Sequence, residues 1–62
     1  MRERAEASLR ALIEQETPSI VAIAAYVLIN DIGPLIDEKG YTVSFVPLHE
    51  TAEFAEFYLK RG

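Results

Sequence analysis

Apolar and polar positions change rhythm several times along this chain. Ala5, Leu9, Leu12 and Ile13 fall at helical spacing and predict a first helix over residues 2–16. Arg2, Glu6, Arg10 and Glu14 form a row four apart with alternating sign, and such pairs add about 0.2–0.5 kcal/mol each. Arginines open this helix while Glu14 and Glu16 close it, an order that opposes the helix macrodipole.

The pattern then disappears into a run with no polar side chain, Ile20 to Ile29. Thr17-Pro18 stands before it. Threonine is a good helix N-cap and proline is favoured at the first helical position. The residue before a proline also avoids helical dihedrals, which stops the first helix here. The spacing of these signals predicts a second helix over 18–30, ending at Asn30-Asp31. Ala22, Ala24 and Ala25 favour that reading. The rival reading is a buried strand over 20–29, favoured by the β-branched Ile20, Val21, Ile23, Val27 and Ile29. Periodicity does not separate the two, because every position is apolar.

Gly33-Pro34 breaks the chain again, and Pro34 opens a short helix over 35–39 that ends at Gly40. The alternative is a second helix that continues through a kink. Tyr41, Val43 and Phe45 alternate with Thr42, Ser44 and Val46 at period two, which predicts a strand at about 41–47, ended or marked as an edge by Pro47. A last helix is predicted from about Glu50 to Arg61. Glu50 and Glu53 sit at its start and Lys60 and Arg61 at its end, in agreement with the macrodipole. Phe54, Phe57 and Tyr58 fall at i, i+3, i+4 and read as a core or interface stripe.

These elements give a small α+β domain, mostly helical, in the order α-α-short α-β-α. Its lone strand has no partner in the chain and is expected to pair antiparallel with its copy across a homodimer two-fold. With 20–29 as a second strand the order becomes α-β-α-β-α. The two strands then pair within the chain, and the case for a dimer weakens.

Length sharpens the argument for a partner. One domain is the only option in 62 residues. A domain of about 60 residues buries only about 60% of its unfolded surface. The usual reinforcements are disulfides, metals or oligomerisation. The chain has no cysteine and one histidine, His49, so oligomerisation is the one left. Half the residues are hydrophobic and 26% are charged, a globular composition. The apolar run is shorter than the roughly 20 residues needed to span a bilayer. The mixed-charge N-terminus does not resemble a signal peptide. The expectation is a soluble, cytoplasmic protein.

Ten acidic residues against six basic ones leave a net charge of −4. That balance opposes direct nucleic-acid binding, which draws on clustered Lys and Arg. No glycine-rich phosphate loop is present, and neither Ser8, Ser19 nor Ser44 forms a nucleophile motif with His49. His49 and Glu53, four apart, lack a third metal ligand. Asp37 and Glu38 are adjacent and diverge on a helix. No catalytic, cofactor or metal residue is therefore expected, nor a small-molecule substrate.

The function expected is a protein-interaction or regulatory module acting as a homodimer, in contact with itself and with another protein. Its expected core and interface residues are Ile20, Ile23, Val27, Tyr41, Val43, Phe45, Phe54, Phe57 and Tyr58. A different class of reading makes the chain an acidic inhibitor, phage-type or antitoxin-like, of a nucleic-acid-binding protein. Glu50, Glu53 and Glu56 would then face the partner from one helix. A third reading is a subunit or fragment of a larger assembly.

Overall fold

The computed structural model describes residues 2–62, with side chains from Glu6 onward. The expected positions of the Arg2 and Ala5 side chains lie outside the described residues. The elements are helix α1 (Arg2–Glu14), strand β1 (Ser19–Ala25), helix α2 (Tyr26–Glu38), and strands β2 (Tyr41–Pro47) and β3 (Phe54–Arg61). The strands form one antiparallel sheet in the order β1-β3-β2. The fold is thus α+β, with two helices and a three-stranded sheet.

The first helix forms, ending at Glu14, and of its expected stripe Leu9 and Ile13 are buried while Leu12 is 39% exposed. Among the described residues, its charged row pairs Arg10 with Glu6 at 3.1 Å. Both side chains are about 40% exposed, and a pair so placed adds at most a few tenths of a kcal/mol. Glu16 then turns the chain with φ of 58°. A left-handed position without glycine is costly for most residues. Here the Glu16 carboxylate lies 2.9 Å from the Arg61 guanidinium and 3.9 Å from the Lys39 ammonium. Arg61 also donates from Nε to the Lys39 carbonyl at 3.0 Å, and its amide donates to the Pro18 carbonyl at 2.9 Å. The Tyr41 hydroxyl donates to the Thr17 carbonyl at 2.5 Å. These contacts tie three segments into one corner: the turn after α1, the turn after α2 and the end of β3.

The expected helix over 18–30 is replaced by two elements. The run is a strand up to Ala25 and a helix from Tyr26, with no loop between them. Each half keeps its own period. Ile20 and Ala24 are buried in β1 with Ala22 half-buried between them, while Val21 and Ile23 point the other way, 61% and 64% exposed. In α2 the buried residues Ile32 and Ile36 and the partly buried Leu28, Ile29 and Leu35 follow helical spacing. The alternation was illegible because both faces of β1 are apolar. The rival reading of a strand over 20–29 is correct for its first part and fails after Ala25.

Ala25 provides no side-chain cap for α2. The Tyr26 amide instead donates to the Glu53 carbonyl at 3.1 Å, which satisfies one of the four unpaired donors of the helix start. The short helix expected over 35–39 is the end of α2, and Pro34 lies inside that helix on an exposed position. Gly40, at φ 79°, makes the left-handed turn into β2, a conformation that glycine adopts without penalty.

The largest correction concerns the C-terminal segment. Residues 54–61 form a strand where a helix over 50–61 was expected. Ala55, Phe57 and Leu59 are buried at period two, while Phe54, Glu56, Tyr58 and Lys60 occupy the opposite face. The i, i+3, i+4 spacing of Phe54, Phe57 and Tyr58 mixes residues from both faces. Strand β2 therefore has a partner in its own chain, and the argument for pairing it across a dimer falls. It does not pair with β1 either, since β3 lies between them. Across the inner face the rows read Ile20–Leu59–Val43, Ala22–Phe57–Phe45 and Ala24–Ala55–Pro47. Phe57 sits at the middle of the middle row, with its ring centroid 5.7 Å from Tyr26 of α2 and 5.6 Å from Phe45.

Among the described residues, no helix is long and apolar enough to cross a membrane.

Candidate functional site: the open face of the sheet

The side chains that fill the core all lie on one side of the sheet. Ile20, Ala24, Ala55, Phe57 and Leu59 pack there with Leu9 and Ile13 of α1 and Ile32 and Ile36 of α2. The other side presents three rows across the strands. They are Ser19–Lys60–Thr42, Val21–Tyr58–Ser44 and Ile23–Glu56–Val46, with Ala25–Phe54 at the end. Side chains alternate along a strand, so each row stands on the same face. Val21 (61%), Ile23 (64%), Val46 (53%), Phe54 and Tyr58 (38% each) are all exposed. The patch is apolar around a central Glu56 and polar along the Ser19–Lys60–Thr42 margin.

Around Tyr58 the face is slightly hollow. The depression holds about 440 Å³ and is edged by Ser19, Val21, Thr42, Ser44 and Lys60. The Tyr58 hydroxyl donates to the Glu56 carboxylate, two residues along the strand. That hydrogen bond raises the Tyr58 pKa above 10.0, and desolvation and the Glu56 charge act in the same direction. The face offers hydroxyl groups and one carboxylate and one ammonium, but no enclosed cavity around them. Groups of three or more metal-ligating side chains are absent among the described residues.

The residues expected at an interface divide into a core set and an open-face set, with Phe45 and Val27 in neither. Ile20, Tyr41 and Phe57 are core, and Val43 is half-buried against it. Phe45 stands on the inner face but remains 51% exposed at the β2 edge, where it meets the ring of Tyr26 edge-on at 5.5 Å. Ile23, Phe54 and Tyr58 belong to the open face. Val27 is 65% exposed on α2, beside a second hollow of about 340 Å³ at the junction of β1 and α2, which Ile23 and Phe54 also line. Sequence reasoning missed Val21, Val46 and Lys60 on the open face. The signal for Val46 was present in the alternation of residues 41–46.

The acidic residues expected to share a helix face do not. Glu50 and Glu53 lie in the hairpin loop after β2, which is closed by the Leu48 amide on the Phe54 carbonyl at 3.2 Å. The Glu53 amide donates to Thr51 Oγ1 at 3.2 Å in the same loop. Glu56 stands apart at the centre of the open face. His49 is exposed in the loop.

Comparison of the chain with family models, with curated proteins and with solved structures finds no match to any of them.

Proposed function

We propose that this chain is a protein-interaction module of the regulatory kind that acts as a homodimer, and that the open sheet face is its contact surface. One observation carries the reading. Five apolar side chains, Val21, Ile23, Val46, Phe54 and Tyr58, share the exposed face of the sheet in a chain of 62 residues. In so small a domain, surplus apolar surface is usually resolved by association. A standard interface takes about 800 Å² from each partner. That is less than a fifth of this chain's 4542 Å².

The test is the solution mass by light scattering over a range of concentrations, for the wild-type chain and for Ile23→Glu. The substitution leaves the core untouched, because Ile23 is 64% exposed. The expected masses are twice the chain for the wild type and one chain for the variant. A wild-type chain that stays monomeric at every concentration refutes the homodimer. A dimer indifferent to Ile23→Glu refutes the choice of face.

A further inference from the structure

The open face carries a charge pattern that singles out one way for two copies to meet. The outward residues of the central strand read Phe54, Glu56, Tyr58, Lys60. An acid and a base thus stand at equal distances on either side of Tyr58. Within the chain the cross-strand neighbours of Glu56 are Ile23 and Val46, and those of Lys60 are Ser19 and Thr42. Neither Glu56 nor Lys60 pairs with an opposite charge among the described residues.

We propose that two copies of this chain stack open face to open face, β3 running antiparallel over β3, with the two-fold axis along the Val21–Tyr58–Ser44 row. The inference rests on the homodimer reading above and specifies its geometry. Stacked sheets lie about 10 Å apart with their strands within about 30° of one another. A two-fold axis in the plane between them is compatible with β3 strands that run either antiparallel or parallel. The parallel arrangement sets Glu56 over Glu56 and Lys60 over Lys60, and like charges facing each other at an interface are strongly unfavourable. The antiparallel arrangement sets Glu56 of each copy against Lys60 of the other, twice. Tyr58 then meets Tyr58, Val21 meets Val21 and Ser44 meets Ser44 along the axis, while Ile23 and Val46 of each copy flank the Glu56–Lys60 contacts and face Ser19 and Thr42 of the other. The Tyr58 hydroxyl, already bonded to Glu56, holds that carboxylate on the face and leaves a second oxygen for the partner ammonium.

Charge reversal tests the geometry independently of the dimer itself. Glu56→Lys alone, or Lys60→Glu alone, places two like-charged pairs across the axis. Each should weaken the homodimer by about 100-fold or more, since breaking a close interfacial charge pair costs several kcal/mol and each 1.4 kcal/mol is tenfold. Mixing the two variants should restore association as a 1:1 heterodimer, because one copy then brings two lysines and the other two glutamates. The double variant Glu56→Lys/Lys60→Glu should again form a homodimer. Sedimentation equilibrium and native mass spectrometry of the single variants, their mixture and the double variant read all of this. Circular dichroism confirms that each variant is folded. If the wild type dimerises, Ile23→Glu abolishes the dimer and the single reversals leave its strength unchanged, the antiparallel register is overturned while the face stands. A wild-type monomer overturns both proposals. Homodimers from the single variants with no heterodimer in the mixture also overturn the register.

Discussion

Removing the Phe57 side chain tests the fold at its most informative point. Phe57 is 2% exposed on the central strand and flanked by Ala22 and Phe45 in its row. Tyr26 closes over it from α2, its ring at an interplanar angle of 80°. The neighbours on one side are alanines, Ala22 and, one row along, Ala24 and Ala55, which have no longer side chains to swing into the space. A hole left by Phe57→Ala therefore stays largely open. Phenylalanine-to-alanine changes in cores cost about 3–5 kcal/mol, and the lost edge-to-face contact with Tyr26 places this one in the upper half of that range. At roughly 0.05–0.15 kcal/mol per residue, a domain of this size has about 3–9 kcal/mol to lose. Phe57→Ala should thus leave the chain partly or wholly unfolded at room temperature. Phe57→Leu, which keeps most of the volume, should cost about 1–1.5 kcal/mol and remain measurable. Urea denaturation followed by circular dichroism gives the Phe57→Leu value and shows whether Phe57→Ala keeps a folded baseline, with Phe54→Ala on the open face as the reference. A loss under about 1 kcal/mol for Phe57→Ala, or a larger loss for Phe54→Ala, would refute the assignment of inner and outer faces to β3.

Three further substitutions probe features outside the core. Pro34→Ala restores a backbone donor inside α2 at an exposed position and should stabilise the fold by about 1–3 kcal/mol in thermal or urea melts, given the helix-interior penalty of proline. At Glu16, φ 58°, glycine should be more stable than alanine by about 1 kcal/mol in the same melts, since both lose the contacts to Arg61 and Lys39 and only alanine keeps the strain. The ultraviolet titration of tyrosinate, taken as the difference between wild type and Tyr58→Phe, should show Tyr58 ionising above 10.0, and Glu56→Gln should bring it back towards that value. Because the folded pKa is the higher one, the contribution of this hydrogen bond to stability is complete below pH 10 and falls as pH rises through the folded value.

Much of this fold was readable where one face of an element is apolar and the other is not. The stripe of α1 and the alternation of β2 meet that condition, and both elements stand where their patterns place them. The rest was hidden by the open face itself. In β1 the outward positions are Val21 and Ile23, so the strand reads as six apolar residues in a row that run straight into four more at the start of α2. In β3 the outward Phe54 and Tyr58 combine with the inward Phe57 to imitate a helical stripe, and the acidic start and basic end strengthen the imitation. The same misreading thus occurs twice, at the two strands that supply most of the exposed apolar residues of that face. A sheet whose far side faced water alone would have carried polar residues at 21, 23, 54 and 58, and its period of two would have been evident. The positions that obscured the strands in the sequence are those left exposed in the folded chain. Replacing Val21 and Ile23 with threonine makes this concrete. Both are exposed and threonine suits a strand, so the fold should persist within about 0.5 kcal/mol per site as read by denaturation. If the double variant instead unfolds, the outer face is part of the chain's own core.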